Sequence, residues 1–387
     1  MIVKKSLLFL GPIIILAAFG VISLNKFNYL PATPILELVF FSSFFLIDKK
    51  FNRELLIYWC LIFCYLTYFY FISVHFNHVY ILDFLISIKV FIYLLVIILF
   101  AKKRIINLSQ LAKFYNIILF VYFIKYSYSI AIHSYGTRPG VFTENNFELL
   151  LPIILSIGIW EIRRKIYKRE IFLLAIIVLF SASRSGAVEL VCTLSFSLFL
   201  SKNKTKLIKF LYLIVGGLLI IAIVYTIFLY RTNSISEIDR YKFLLCFFNE
   251  TKEWGIFNWI FGSTPLTPMS EYTCRTLSYY IDLFSKAGDG KCYSVILHSM
   301  IMRVIFDHGI LGLIVIFFVL YRLLIIAGLS KRASFFILII FIINGLSVSS
   351  LNSVYAVFPL LILILTYKSL QEIKTLNKKI DGVQNAI

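Results

Sequence analysis

Residues 179–190 read LFSASRSGAVEL, and they interrupt a run that is otherwise apolar from Ile171 to Leu200. Arg184 and, five residues later, Glu189 stand in the middle of it. As one continuous helix, this run would place the basic clusters RRKIYKRE (163–170) and SKNKTK (201–206) on opposite sides of a membrane. Lys and Arg accumulate in cytoplasmic loops, so a single helix would force one cluster across. A hairpin with its tip at SASRSG (181–186) keeps both on one side. Gly186 tolerates positive φ and the serines bond to local backbone, which suits a turn. The expected arms, 170–183 and 186–201, fall short of the ~20 residues of a full span, so the tip is expected below the outer surface, in a protein cavity. An ionisable group at that depth is a functional candidate. The plainer reading is an Arg184 to Glu189 pair that closes the hairpin.

Outward from this hairpin the class is set by composition. Of 387 residues, 60% are hydrophobic and only 15% charged, more apolar surface than a soluble domain hides. Apolar segments near membrane-spanning length recur from end to end. The expectation is an all-α, polytopic membrane protein forming a single membrane domain over 1–387. About twelve spans are expected, near 7–24, 30–47, 55–74, 79–100, 112–132, 147–161, 170–183, 186–201, 207–230, 301–327, 333–348 and 353–367. With both termini cytoplasmic, the clusters DKKFNRE, AKKR, RRKIYKRE, SKNKTK and SKR all fall inside. The formal charge of +19 therefore reports orientation, and no nucleic-acid surface is read from it. One long hydrophilic loop, about 231–297, faces outward before the last three helices.

Two further outward stretches carry unusual polar content. In YGTRPGVFTENNFELLLP (135–152), Gly136, Pro139 and Gly140 are expected to turn the chain around Arg138. Asn145 is expected to cap a helix beginning near Phe147, with Glu144 and Glu148 on one face. In HSMIMRVIFDHGILGL (298–313), His298 stands at a helix mouth, and Arg303 and Asp307 are spaced for an i, i+4 pair facing the bundle interior. Cys60, Cys64 and Cys192 fall in spans as packing residues. Cys246, Cys274 and Cys292 fall in the outer loop, where three single pairings are open in an oxidising compartment. Cys274 with Cys292 is favoured because it closes the Gly-rich SKAGDGK end.

Together these motifs resemble the O-antigen polymerase and O-antigen ligase superfamily. The resemblance rests on RPGVF followed by Asn-Asn, SRSG at the hairpin, the large outer loop with DRYKFLLCFF (239–248) and NWIFGSTPL (258–266), and a His followed by DHGILGL. It covers about residues 130 to 325, in the family's order. The chain departs where the family's His is usually followed by Asn, here Ser299, and where Pro often precedes the second Asn, here Asn145.

The resemblance implies a GT-C-like glycosyltransferase in the bacterial inner membrane. Its donor and acceptor would be undecaprenyl-pyrophosphate-linked oligosaccharides, joined at the periplasmic face. A planar guanidinium matches phosphate geometry and keeps its proton, so Arg138, Arg184 and Arg240 are the implied pyrophosphate clamp. His298 is the implied general base with Glu144 as runner-up, and Arg303, Asn145 and Glu189 are secondary candidates. No cofactor and no metal is expected, since no Asp, Glu or His cluster has ligand spacing. A chain-length regulator protein and membrane lipid are the implied partners. Polymerase is the lead activity, ligation of polymer to a lipid A core the alternative, and a lipid-linked oligosaccharide flippase or transporter a second alternative.

Overall fold

The computed structural model describes residues 2–23, 27–46, 53–103, 105–133, 138–143, 145–200 and 239–366. Among the described residues the chain is helical throughout, with no strand. The helices are α1 (Ile2–Ile22), α2 (Ala32–Leu46), α3 (Arg53–Tyr70, continued by a π-helical turn to Phe76), α4 (Ile81–Ser87), α5 (Lys89–Ile98) and α6 (Leu108–His133). There follow α7 (Asn145–Glu148), α8 (Leu150–Arg163), α9 (Lys168–Ser181) and α10 (Arg184–Leu200). The segment 239–297 holds α11 (Asp239–Thr251), α12 (Ile256–Phe261) and α13 (Glu271–Thr276), and the chain continues through α14 (Met300–Ile326), α15 (Lys331–Ser347) and α16 (Val354–Leu365). The expected span 207–230, Glu144 and the tail after 366 lie outside the described residues.

Among the described residues, length and composition qualify three helical stretches to cross a membrane: Arg53–Phe76, Leu108–Ile132 and Met300–Ile326. A fourth qualifies if α4 and α5, bent by 62°, are one span. Two of the shorter helices are enclosed by the others. Every residue of α16 is buried, as is α8 from Leu150 to Ile162. A helix that is apolar all round belongs in a core. At ~1.5 Å per residue the 12 residues of α16 run only about 18 Å, so it sits within the bundle. Gly158 of α8 gives α16 its seat: a Cβ there would stand 2.1 Å from Leu363.

The bend between α4 and α5 frees backbone groups that need partners away from water. Asn352 accepts from Val90 N at 3.1 Å, and Arg303 donates to Ile86 O at 3.3 Å. A second break lies in α14 at Gly309, whose φ of 68° is non-helical. Ser263 N donates to Phe306 O at 2.7 Å, taking up a carbonyl at that break. The close approach needs glycine on both sides, because a Cβ on Gly309 would meet Ile260 O at 2.1 Å and one on Gly262 would meet Gly309 N at 2.7 Å.

The segment 239–297 has a small core of its own, with Phe243, Phe247, Leu277 and Ile296 buried together with Phe306 of α14. Cys274 and Cys292 are joined, their Cα atoms 5.8 Å apart. Asp83 of α4 ties the segment down by accepting from Ser285 Oγ at 2.8 Å and Lys286 N at 3.0 Å.

Candidate functional site

The loop 138–143 is built around Glu148. Its carboxylate, fully buried, accepts from the amides of Val141 and Phe142 at 2.7 Å each, from Thr143 N at 3.1 Å and from Tyr126 OH at 2.8 Å. Gly140 permits the tight turn, since a Cβ there would stand 1.6 Å from Thr143 O. Asn28 holds the far side, donating to Val141 O at 3.1 Å. Arg138 therefore stands at the start of a clamped loop, with a positive φ of 51°. Glu148 is a latch with its acceptor capacity in use, not a second carboxylate on a catalytic face. Asn145 is the first residue of α7 rather than a cap for a helix starting at Phe147. The neighbouring Asn146 carries the polar contacts: its Oδ1 accepts from Ser183 Oγ at 2.8 Å and its carbonyl accepts from Asn344 Nδ2 at 3.1 Å.

The expected hairpin is present, with α9 and α10 antiparallel neighbours, but its turn is tighter than expected. Ala182, at φ 50°, supplies the left-handed residue, and Arg184 already begins α10. Gly186 is not a turn former: it lies inside α10, where a Cβ would stand 2.9 Å from Leu149. Its role is close packing of α10 on the start of α8. Ser183 closes the tip, its Oγ accepting from Gly186 N at 3.1 Å. Glu189 does not pair with Arg184 to close the hairpin; five residues put it about 140° round the helix. It accepts instead from Asn344 Nδ2 at 2.9 Å. Arg184 and Arg138 are close enough for their like charges to act on each other.

His298 sits in the left-handed region at φ 56°, just before α14. Its ring packs against Tyr280 and Phe243, with centroids 4.5 Å and 5.4 Å away. Its Nε2 is shielded and has no hydrogen-bond partner. Burial first, and the positive charge of Arg303 next, push His298 from its ordinary 6.5 down to about 4; Asp239 opposes the shift and Arg240 adds to it. The ring is therefore neutral at neutral pH and able to accept a proton. Arg303 and Asp307 are both buried, yet they form no ion pair with each other. Arg303 Nη1 donates to Ser349 Oγ at 3.2 Å while Nη2 goes to the bend at Ile86, and Asp307 accepts from Ser294 Oγ. The i, i+4 spacing alone therefore does not bring the two charges together. Ser349 Oγ in turn donates to His298 O at 3.1 Å, linking the two residues.

These groups meet at the last turn of α15. Arg240, at the start of α11, donates from Nε to Ser347 O at 3.3 Å. Asn344, three residues earlier, reaches Glu189 and Asn146 on the opposite flank. One turn of helix thus lies between the Arg138 and Arg184 pair and the group formed by Arg240, His298 and Arg303. Among the described residues, no three His, Cys, Asp or Glu side chains gather as a metal-holding group. No family model, curated protein or solved structure matches the chain. The functional reading rests on these residues themselves.

Asn146, Asn344, Ser347 and Ser349 are the parts of the site that sequence reasoning missed. An Asn inside an apolar helix, as in FIINGLSVSS (341–350), is the signal that was available for Asn344.

Proposed function

We propose that the chain is a glycosyltransferase of the bacterial inner membrane, a polymerase that joins undecaprenyl-pyrophosphate-linked oligosaccharide units at the periplasmic face. In this reading the bundle is GT-C-like with about twelve spans and cytoplasmic termini. The observation that carries it is the grouping of Arg138 with Arg184, and of Arg240 with His298 and Arg303, on either side of the α15 end.

The reaction asks for two things. An acceptor hydroxyl must attack the anomeric carbon as its bond to the pyrophosphate oxygen breaks, the electron pair leaving on pyrophosphate. The hydroxyl proton must go to a base. Guanidinium groups stabilise the phosphate charge as it develops without a divalent ion, and a recessed site strengthens each contact relative to water. His298, neutral at neutral pH, is the residue that takes the proton. Tyr279 and Tyr280 donate their hydroxyls to Asp239; the Tyr280 ring lies beside His298 and the Tyr279 ring beside Tyr280, where a sugar can stack.

Deleting the gene and resolving surface polysaccharide on a gel tests the reading. Loss of the ladder with one repeat unit still attached to the core is the expected result. Loss of all attached units with accumulation of lipid-linked polymer would make the protein a ligase, and an unchanged ladder would overturn both. Restoring the gene as Arg184→Lys adds the mechanism. Lysine keeps the charge but loses the planar fork, so polymer formation should fall about 10²-fold to 10³-fold at unchanged protein level. Near-normal polymer would leave Arg184 as scaffolding.

A further inference from the structure

The segment 239–297 is not uniformly hydrophilic. From Trp254 to Ser270 it carries no Asp, Glu, Lys or Arg, although Lys252, Glu253 and Glu271 on either side are all strongly exposed. Within this stretch lies α12, and apolar side chains on it are turned outward: Ile256 and Phe257 are 77% and 78% exposed and Phe261 is 58% exposed. Single exposed apolar residues are ordinary, but three on one short helix form a patch that calls for a cover.

The position of α12 along α14 says what that cover is. A Cβ on Gly309 would stand 2.1 Å from Ile260 O, and Trp254 stacks on Phe306 with centroids 5.6 Å apart, so α12 and the chain entering it lie against α14 at 306–309. Toward the other end of α14, Arg322 pairs with Glu54 of α3, the two side chains 37% and 41% exposed. An exposed charge pair is costly in hydrocarbon, so it marks one boundary of the membrane that α3 and α14 are long and apolar enough to cross. From Arg322 back to Gly309 the helix rises about 20 Å at ~1.5 Å per residue, against ~30 Å of hydrocarbon core. Gly309 therefore lies about 10 Å short of the far boundary. Snorkelling of the Arg322 side chain reduces that to about 5 Å, and tilt of α14 increases it. The apolar face of α12 is thus at the depth of acyl chains. It adjoins the exposed face of α14, where Leu311 lines the same groove as Phe261.

We infer that α12 is an interfacial helix seated in the leaflet at the His298 end of the bundle, with Ile256, Phe257 and Phe261 among lipid acyl chains. Interfacial helices bury their apolar face by about 5–10 Å, which matches the depth reached at Gly309. The six residues of α12 make only about 9 Å of helix, so it dips into the leaflet and does not cross it. The exposed Glu271 and Arg275 of α13 mark the wet side of the same segment. A soluble partner would have to enter hydrocarbon to reach the α12 face, so lipid is the occupant that fits it. The inference rests on α3 and α14 crossing a membrane and is independent of the glycosyltransferase reading.

The test places the full-length protein in liposomes of phosphatidylethanolamine and phosphatidylglycerol, a fraction of the lipid carrying a diazirine near the head of one acyl chain, and maps photoadducts by mass spectrometry. Residues 254–262 are expected to take about tenfold more label than 271–276 of α13, at a level close to that of 310–318 in α14. Label on 310–318 with no more on 254–262 than on α13 would overturn the inference. Absence of label from both would overturn the crossing of α14 on which it rests. A second measurement replaces Phe257 by p-benzoylphenylalanine, a change suited to so exposed a position, and irradiates native membranes. An adduct with lipid is expected there. An adduct with another protein, or with a second copy of the chain, would overturn the choice of occupant. Because the first measurement uses the unmodified chain, poor folding of the substituted protein leaves the inference testable.

Discussion

Glu148 and Glu189 are both fully buried at the same end of the bundle, yet one carboxylate is saturated and the other is not. Glu148 collects three amides and a tyrosine hydroxyl, all but the last from a loop within seven residues of itself. Glu189 has one donor, from Asn344, and its Oε2 has none. Asn344 Oδ1, next to it, is also without a donor. The loop around Arg138 is thus a closed hydrogen-bond unit that holds a cation in place. The contact between α10 and α15 keeps spare acceptor capacity. Burial alone does not tell a latch from a site; the count of donors does.

Removing the latch should have the largest effect. Glu148→Ala leaves three amides and Tyr126 OH buried without an acceptor, at about 1–3 kcal/mol each, against a typical stability of about 5–15 kcal/mol. The protein should disappear from the membrane fraction, read by fluorescence-detected size exclusion; a normal monodisperse peak would contradict the latch.

His298, on the other flank of α15, likewise has a ring nitrogen without a partner, so its loss should cost activity without costing protein. His298→Gln is expected to slow polymer formation by about 10²-fold to 10⁴-fold. The pH profile sharpens the point. A base whose pKa is held down stays deprotonated well below 6.5, so activity should persist to about pH 5 and fall only as the pH drops through about 4. Stability follows the same sign: the unfolded imidazole gains its proton below 6.5 and the folded one only near 4, so the folded state weakens across that window as pH falls. An acid limb at 6.5 would show that His298 is not the base.

A smaller effect is expected at the packing of α10 on α8. Gly186→Leu should destabilise by about 1–3 kcal/mol through overpacking against Leu149, seen as a lower melting temperature in detergent. An unchanged melt would mean that the hairpin tip yields freely.

Smallest of all should be Glu189→Gln. The new amide can still accept from Asn344 Nδ2 and can donate to Asn344 Oδ1, which now lacks a donor. Stability should stay within about 1 kcal/mol of the parent or rise. A loss as large as that of Glu148→Ala would make the two carboxylates alike and remove the distinction drawn between them.

Read as a string, the chain gives its helices long and apolar enough to span a membrane, the hairpin at Arg184 and the polar stretches that contribute to the site. Those features are written locally, in apolar runs and in the placement of Lys and Arg between them. Tertiary structure decided what the individual polar groups do. Glu148 looked like a partner for Glu144 until the amides of Val141, Phe142 and Thr143 claimed it. Arg303 looked paired with Asp307 until the bend after α4 offered the carbonyl of Ile86, 217 residues away. Asn344 contacts Glu189 and Asn146 across 155 and 198 residues. A hydrogen bond is short and directional, so which donor meets which acceptor depends on how distant helices stack, and no local spacing carries that information.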